Sequence, residues 1–404
     1  MAELRQNTWT LDEWYAQDVA GQVNYKFGGS LYTWGYGSGG RLGQNDQTNR
    51  SSPTQVGTAT DWKYLANGHG GSVTMVIKSD NTLWSWGEDD QGIQGQNCDC
   101  KFSSPMQIGE NTNWSMVQVG RASAGAINTD GELYVWGWNN YGILGQNQGG
   151  TSNTAPRYSS PTQIPGDWKD ISFGYQHVGG VKTDGTLWMW GSGSGGRLGL
   201  NQGAPNDRSS PAQVGTDTTW DKISSGILNS VVSKTDGSLW SWGSATDGLL
   251  GQNGPTNSDR SSPIQIPGTW AQFATNTGET DPRYCMGVKT NGALYVWGRG
   301  YTGQMGLGGP TTGNWVRRST PTQIPGTWDV DLSAGGQNTL HAGATVCCKR
   351  ADGDWYVWGF GGYGSLGINI GGPGPSTNKA SPVQLPGTWD LVQLGGYGSA
   401  GIKH

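Results

Sequence analysis

"TLWSWGEDDQGIQGQN", Thr82 to Asn97, pairs two tryptophans with a run of spaced glycines. The Trp-Gly step at Trp86 recurs at Trp34, Trp136, Trp190, Trp242, Trp297 and Trp358, at intervals of 50 to 61 residues. The pattern after each Trp is G-x4-G-x2-G, for instance Gly87, Gly92 and Gly95, or Gly243, Gly248 and Gly251. An Asn follows two residues later in six copies (Asn45, Asn97, Asn147, Asn201, Asn253, Asn369), and Gly308 stands there in the sixth. A second marker is a Ser/Thr-Pro step before Gln and an aliphatic residue, with prolines at 53, 105, 161, 211, 263, 321 and 382. A third is a lone Trp beyond each proline: Trp62, Trp114, Trp168, Trp220, Trp270, Trp328 and Trp389. A fixed period of this length marks a chain of equivalent structural units.

Each unit reads as short strands. "VTMVIKSDNTLWSWG" is two apolar runs joined by Ser79-Asp80-Asn81, a hairpin-type turn. "SPTQV" and "WKYLANG" supply two more extended pieces. Four short strands make a small sheet with two apolar faces, which cannot bury itself alone. Seven such sheets packed radially form an all-β, seven-bladed β-propeller of four-stranded blades. The 71 glycines then serve tight loops and close approaches of backbone. The 22 tryptophans fill the wedges between blades. Each can remove roughly 200 Å² from water, at about 25 cal/mol per Å². The strand before the Lys turn occurs eight times, from Val23–Lys26 to Ala400–Lys403, whereas seven hairpins need seven partners. The tail strand Gly401-Ile402-Lys403 is therefore expected to pair with Leu31–Trp34 and close the ring, leaving no open edge.

These motifs, W-G-x4-G-x2-G, then S-P-x-Q-[VI], then Trp and "VKTDGTLW", resemble the regulator-of-chromosome-condensation repeat family of seven-bladed propellers, over residues 23 to 403. The family includes exchange factors with basic tails, but the N-terminus here, "MAELRQNTWTLDEW", is not basic. It also includes a photoreceptor marked by a Gly-Trp-Arg-His-Thr run, which is absent. The wording of the repeats looks most like forms found in bacteria and their viruses.

Residues 1–22 lie outside the repeats and 23–404 form the propeller. Thr10 and Glu13 make a capping box, so a short amphipathic helix is expected with Trp9, Leu11, Trp14 and Tyr15 as docking residues for another protein subunit. Met1–Trp9 shows no signal sequence and no stretch reaches the length of a membrane span. A net charge of −5 argues against sequence-independent nucleic-acid binding.

No chemical site is legible. Four histidines, His69, His177, His341 and His404, show neither metal-ligand nor nucleophile spacing, so neither a metal nor a cofactor is expected. The five cysteines (Cys98, Cys100, Cys285, Cys347, Cys348) lack zinc spacing and read as reduced thiols. A basic residue precedes each Ser/Thr-Pro step (Arg50, Lys101, Arg157, Arg208, Arg260, Arg318, Lys379), and turn acids recur (Asp80, Asp130, Asp184, Asp236, Asp352). Both are expected to tie blade to blade; the alternative is a basic ring that receives an acidic partner.

Contact residues are expected where repeats differ. The inserts are "TNTGETDPRY" (275–284) and "AGGQNTLHAGA" (334–344), which point to Asp281, Arg283 and His341. The longer loops before the prolines add Tyr158 and Trp315. The expected function is that of a non-enzymatic structural or recognition protein. The first expectation is a bacteriophage virion component in assembly or host-surface contact, made in the host cytoplasm. The alternatives are a cytoplasmic guanine-nucleotide exchange factor or signalling scaffold, and an adhesin binding a glycan or a host receptor through Trp315 or Tyr158.

Overall fold

A computed structural model describes residues 28–67, 72–89, 91–150, 155–202, 206–253, 258–276, 283–311, 316–330, 340–372 and 375–404. The arm at 1–22, His69, Asp281 and Trp315 lie outside them. Each repeat, from its lone Trp through the Trp-Gly step to the next Ser/Thr-Pro step, folds into one antiparallel sheet of four strands. Sheet I contains Trp62–Asn67, Val73–Lys78, Leu83–Gly87 and Phe102–Gln107. Sheet II contains Trp114–Val119, Ser123–Asn128, Glu132–Trp138 and the first part of the long strand Arg157–Phe173. From Trp168 that strand pairs with His177–Lys182 instead, and Leu187–Gly191 and Arg208–Gln213 complete sheet III. Sheet IV contains Trp220–Ser225, Asn229–Lys234, Leu239–Gly243 and Arg260–Ile266. Sheet V contains Trp270–Thr275, Arg283–Lys289, Leu294–Gly300 and Val316–Ile324. Sheet VI contains Leu340–Ala342, Thr345–Lys349, Trp355–Gly359 and Lys379–Gln384.

Sheet VII is assembled from both ends of the described chain. Leu391–Leu394 and Gly398–Lys403 pair onto Ser30–Gly35 and Arg50–Gln55, with Leu31 opposite Ile402 and Trp34 opposite Ser399. The core is distributed as seven apolar clusters among the described residues, one per interface between neighbouring sheets. The cluster of Leu31, Trp62, Leu65, Trp86 and Ile402 joins sheet VII to sheet I.

The recurring motif acts as a latch between sheets. Every Trp-Gly indole is fully buried. Each donates its Nε1–H, at 2.7–3.1 Å, to the carbonyl that follows the second glycine in the preceding unit: Trp86 to Arg41, Trp136 to Ile93, Trp190 to Ile143, Trp242 to Arg197, Trp297 to Leu249, Trp358 to Gln304 and Trp34 to Ser365. The third glycine, such as Gly43 or Gly199, lies where a Cβ would come within 2.6–3.2 Å of that same indole. The Asn two residues later adopts left-handed backbone (φ 51–59°). Its N–H bonds the outer strand of the next sheet, from Asn45 to Ser103 through Asn369 to Ser51. Asn tolerates that conformation better than other side chains, and Gly308 meets the same need with no Cβ.

The lone tryptophans sit at the other end of the hairpins. In six sheets a cation lies 4.1–5.2 Å from two ring centroids, as Lys182 does between Trp168 and Trp188 and Lys234 between Trp220 and Trp240. In sheet II, Asn128 takes the lysine's place beside Trp114 and Tyr134 and bonds Glu132.

Three expectations need correction. The turn acids do not bridge sheets: Asp184 accepts the N–H and hydroxyl of Thr186, and Asp80 those of Thr82, within their own turns. The basic residues before proline do not form a continuous ring of ties. Arg157 does reach Asp99 of the preceding unit, but Arg50 stays on Asp46 in its own loop and Arg208 on Gln202. The joints repeated from sheet to sheet are the indole and main-chain hydrogen bonds. The third correction concerns thiols. Cys98 and Cys100 form a disulfide, brought to a Cα separation of 5.4 Å just after left-handed Asn97, while Cys285, Cys347 and Cys348 are free and buried.

Candidate functional site

The two edges of the sheets differ in chemistry. At one edge lie the Lys turns and the cation-aromatic contacts, repeated with little change. The other edge gathers the connections from first to second strand together with the Trp-Gly loops. The main chain ties these two sets together: Tyr36 N–H bonds the Tyr397 carbonyl, Trp138 that of Ala122, Ser192 that of Gln176, and Phe360 that of Ala344. The insert of sheet V falls between the first strand, which ends at Thr275, and the second, which starts at Arg283, and so belongs to this edge, whereas 334–344 contains the first strand of sheet VI, Leu340–Ala342, and is no such connection. The long stretches before proline follow the Trp-Gly loops.

The residue after each Trp-Gly step therefore points onto one shared face, and there it varies: Tyr36, Glu88, Trp138, Ser192, Ser244, Arg299 and Phe360. Two constellations form. Where sheets VI and VII meet, Tyr36 lies 4.5 Å from Tyr363 and 6.1 Å from Tyr397, and Phe360 lies 6.0 Å from Tyr397 (ring centroids). Arg41 stacks over Tyr36 at 5.0 Å and reaches Glu88 of sheet I at 3.0 Å. The four aromatic rings are only partly buried. Tyr363 holds φ at 58°, at the loop position that glycine takes as Gly39 and Gly195. Such a conformation costs a bulky residue about 1 kcal/mol or more, so local stability is traded for the placement of this ring.

In the second constellation Asp247 occupies the same loop position, at φ 59°. Its carboxylate reaches from sheet IV to sheet V and forms ion pairs with Arg299 Nη1 at 2.9 Å and Arg317 Nε at 2.8 Å. On the same edge Arg121 stacks on Tyr175 at 4.8 Å.

A channel of about 300 Å³ runs between the first strands of all seven sheets. Lys169 pairs with Asp221 in its wall. Burial pushes the Asp170 carboxyl up to about 6, against the pull of the Ile223 and Ile171 N–H groups bonded to it. Burial also lowers the Lys222 amine. This arrangement ties sheet III to sheet IV, and among the described residues no group of three acidic, His or Cys side chains is placed to hold a metal. No helix among them is long and apolar enough to cross a membrane.

The residues expected from sequence scatter. Arg283 sits at the loop edge, at the start of a strand of sheet V and opposite Arg299. His341 lies in the first strand of sheet VI opposite Cys347. Tyr158 is half-buried against the apolar cluster between sheets II and III, with its hydroxyl 3.2 Å from Gln148 Oε1, so it serves that cluster. His177 is buried with Nε2 2.9 Å from Ser230 Oγ, a structural contact. The seam tyrosines were missed because each stands inside a repeat, and non-glycine residues fill the loop position of Tyr363 in four other copies, as Gln91, Tyr141, Asp247 and Thr302.

Residues 30–401 match the RCC1-like domain. The chain belongs to that family. Among its relatives, the human E3 ubiquitin-protein ligase HERC2 is 29% identical over 345 residues, which cover 84% of this chain and 6% of the ligase. The ultraviolet-B receptor UVR8 of Arabidopsis thaliana is 27% identical over 348 residues, 84% of this chain and 75% of the receptor. The RCC1-like chain thus spans a small part of HERC2. Prp20p from Saccharomyces cerevisiae, whose crystal structure was described with its binding to Gsp1p and histones, superposes with a TM-score of 0.74 at 19% identity, covering 93% of this chain and 92% of that one. At that identity the likeness speaks for the propeller fold alone.

Proposed function

We propose that this RCC1-like chain is a non-enzymatic recognition protein, a closed seven-bladed disc that engages a protein partner through its loop edge. One observation carries this reading: at the edge where the repeats diverge, aromatic and arginine side chains, the residues enriched in interface hot spots, form irregular constellations, while the cation-aromatic contacts of the opposite edge repeat with little change. The strained Tyr363 within the aromatic seam agrees with it. The family supports a recognition or regulatory role over a virus-particle component. A virion role rests on the arm residues Trp9, Leu11, Trp14 and Tyr15, and the cytoplasm is the location that suits the reading preferred here.

The test is site-specific photocrosslinking of the full chain in lysate of its own source. A photoreactive residue replacing Tyr363 should capture a defined partner, and one replacing Asp236 at the opposite edge should not. Capture from position 236 alone would overturn the assignment of the face. A second reading, nucleotide exchange on a small GTPase, draws on the likeness to Prp20p. It predicts faster release of labelled GDP from a GTPase, slowed again by Tyr363→Ala; an unchanged release rate over a panel of GTPases would end it.

A further inference from the structure

Sheet V carries a feature that neither the repeat nor the latch explains. In its register Arg283 lies directly opposite Arg299, and Arg299 directly opposite Arg317. Directly paired residues of antiparallel strands project to the same face, and adjacent strands stand about 4.8 Å apart. Three guanidinium groups are therefore set in a row across three strands at the loop edge. Like charges placed opposite one another destabilise a sheet, and this chain carries a net charge of −5, so the row is not a by-product of a basic composition. Arg299 is also the one cation among the seven residues that follow a Trp-Gly step.

The row already holds one carboxylate. Asp247, in left-handed backbone, pairs with Arg299 and Arg317 at once. It takes the Nε of Arg317, so the terminal nitrogens of that fork are left for another acceptor, and the Arg317 side chain is 56% exposed. Arg318 follows it, exposed, with its own Nη1 turned back to the Arg317 carbonyl.

We propose that the Arg283–Arg299–Arg317 row is a binding site for an acidic, Asp/Glu-rich segment of a partner protein, laid across the end of sheet V. This deepens the recognition reading above and rests on it. Arginine forks match carboxylates in two-pronged geometry. Two of the forks already meet on the Asp247 carboxylate, while Arg283 stands one strand further along the row, so an acidic segment can set further carboxylates beside it. The carboxylate that Asp247 supplies shows the acceptor chemistry that this row takes.

The test is fluorescence anisotropy on the full chain with three labelled peptides of equal length: an alternating Glu/Gly peptide, a Ser/Gly peptide and a Ser/Gly peptide with one phosphoserine. The acidic peptide should bind at least tenfold tighter than the neutral one, with affinity falling steeply as salt rises. Arg317→Glu should abolish that preference. Arg208→Glu, an equivalent charge change in sheet III, should leave it within about twofold, and thermal melts should show both variants fully folded at the assay temperature. Equal binding of acidic and neutral peptides, equal losses from the two variants, or tighter binding of the phosphoserine peptide would each overturn the proposal. If crosslinking from position 363 captures a partner while the acidic peptide fails to bind, the recognition face stands and the arginine row alone is overturned.

Discussion

Single residues in this protein are chosen for the ring that they touch. In five sheets the lysine at the end of the second strand keeps its stem along the hairpin and its ammonium between two aromatic faces, as Lys182 does over Trp168 at 5.1 Å and Trp188 at 4.2 Å. Lys182→Met keeps the apolar stem and removes the charge. It should cost about 0.5–2 kcal/mol, seen as a lower urea midpoint with an unchanged slope. The lysine was plain in the sequence, but its task was not, because the spacing of Lys from the lone Trp crosses a strand pair. The same limit hid the role of the turn acids. Asp184 looks like a surface charge in the sequence, yet Thr186, two residues on, is its partner. Ionic ties between sheets were expected of such residues, and the main chain took that role because buried carbonyls and indole N–H groups need partners in any case.

At the scale of the element, the loop after each Trp-Gly step was the most legible part of the chain. Glycine spacing repeated seven times can be read without a structure, and the structure shows what each position does. The third glycine is the critical one. Gly199 has φ of 67°, and a Cβ there would lie 2.8 Å from Trp242 Nε1, whereas Gly215 has φ of 60° with open space around it. Gly199→Ala therefore pays both backbone strain and displacement of an indole, about 2–4 kcal/mol. Gly215→Ala should cost only the strain, about 1 kcal/mol. Paired thermal melts of the two variants measure the difference, and equal losses would show that the indole moves freely. The candidate site was far less legible. Tyr36, Phe360, Tyr363 and Tyr397 come from three separate loops, and only the meeting of sheets VI and VII assembles them. Likewise Arg283, Arg299 and Arg317 became a row only through strand register; the sequence offered Arg283 alone. The disulfide between Cys98 and Cys100 was missed because a two-residue spacing reveals nothing until the turn at Asn97 is known.

The whole molecule depends on sheet VII, where Gly398–Lys403 sits between Leu391–Leu394 and Ser30–Gly35. Deleting residues 398–404 uncovers both neighbours along their hydrogen-bonding edges and strips Ala400 and Ile402 from the cluster between sheets VII and I. The shortened protein should lose its single cooperative melt and leave the monomer peak in gel filtration. A synthetic peptide of residues 398–404 added in excess should restore part of the transition. A shortened chain that melts like the parent would show that the other six sheets suffice.

That shared sheet has a further effect on how the molecule can be held. The pairing runs from Ser30 beside Lys403 to Gly35 beside Gly398, so the described chain enters and leaves at the edge bearing the cation-aromatic contacts. Gly398 follows Tyr397 of the aromatic seam, at the far side. A tether attached after His404, or ahead of Gly28, pulls on the back of the disc. Grafted to a bead or fused to a larger assembly by either route, the protein turns its variable surface outward, a built-in polarity of display.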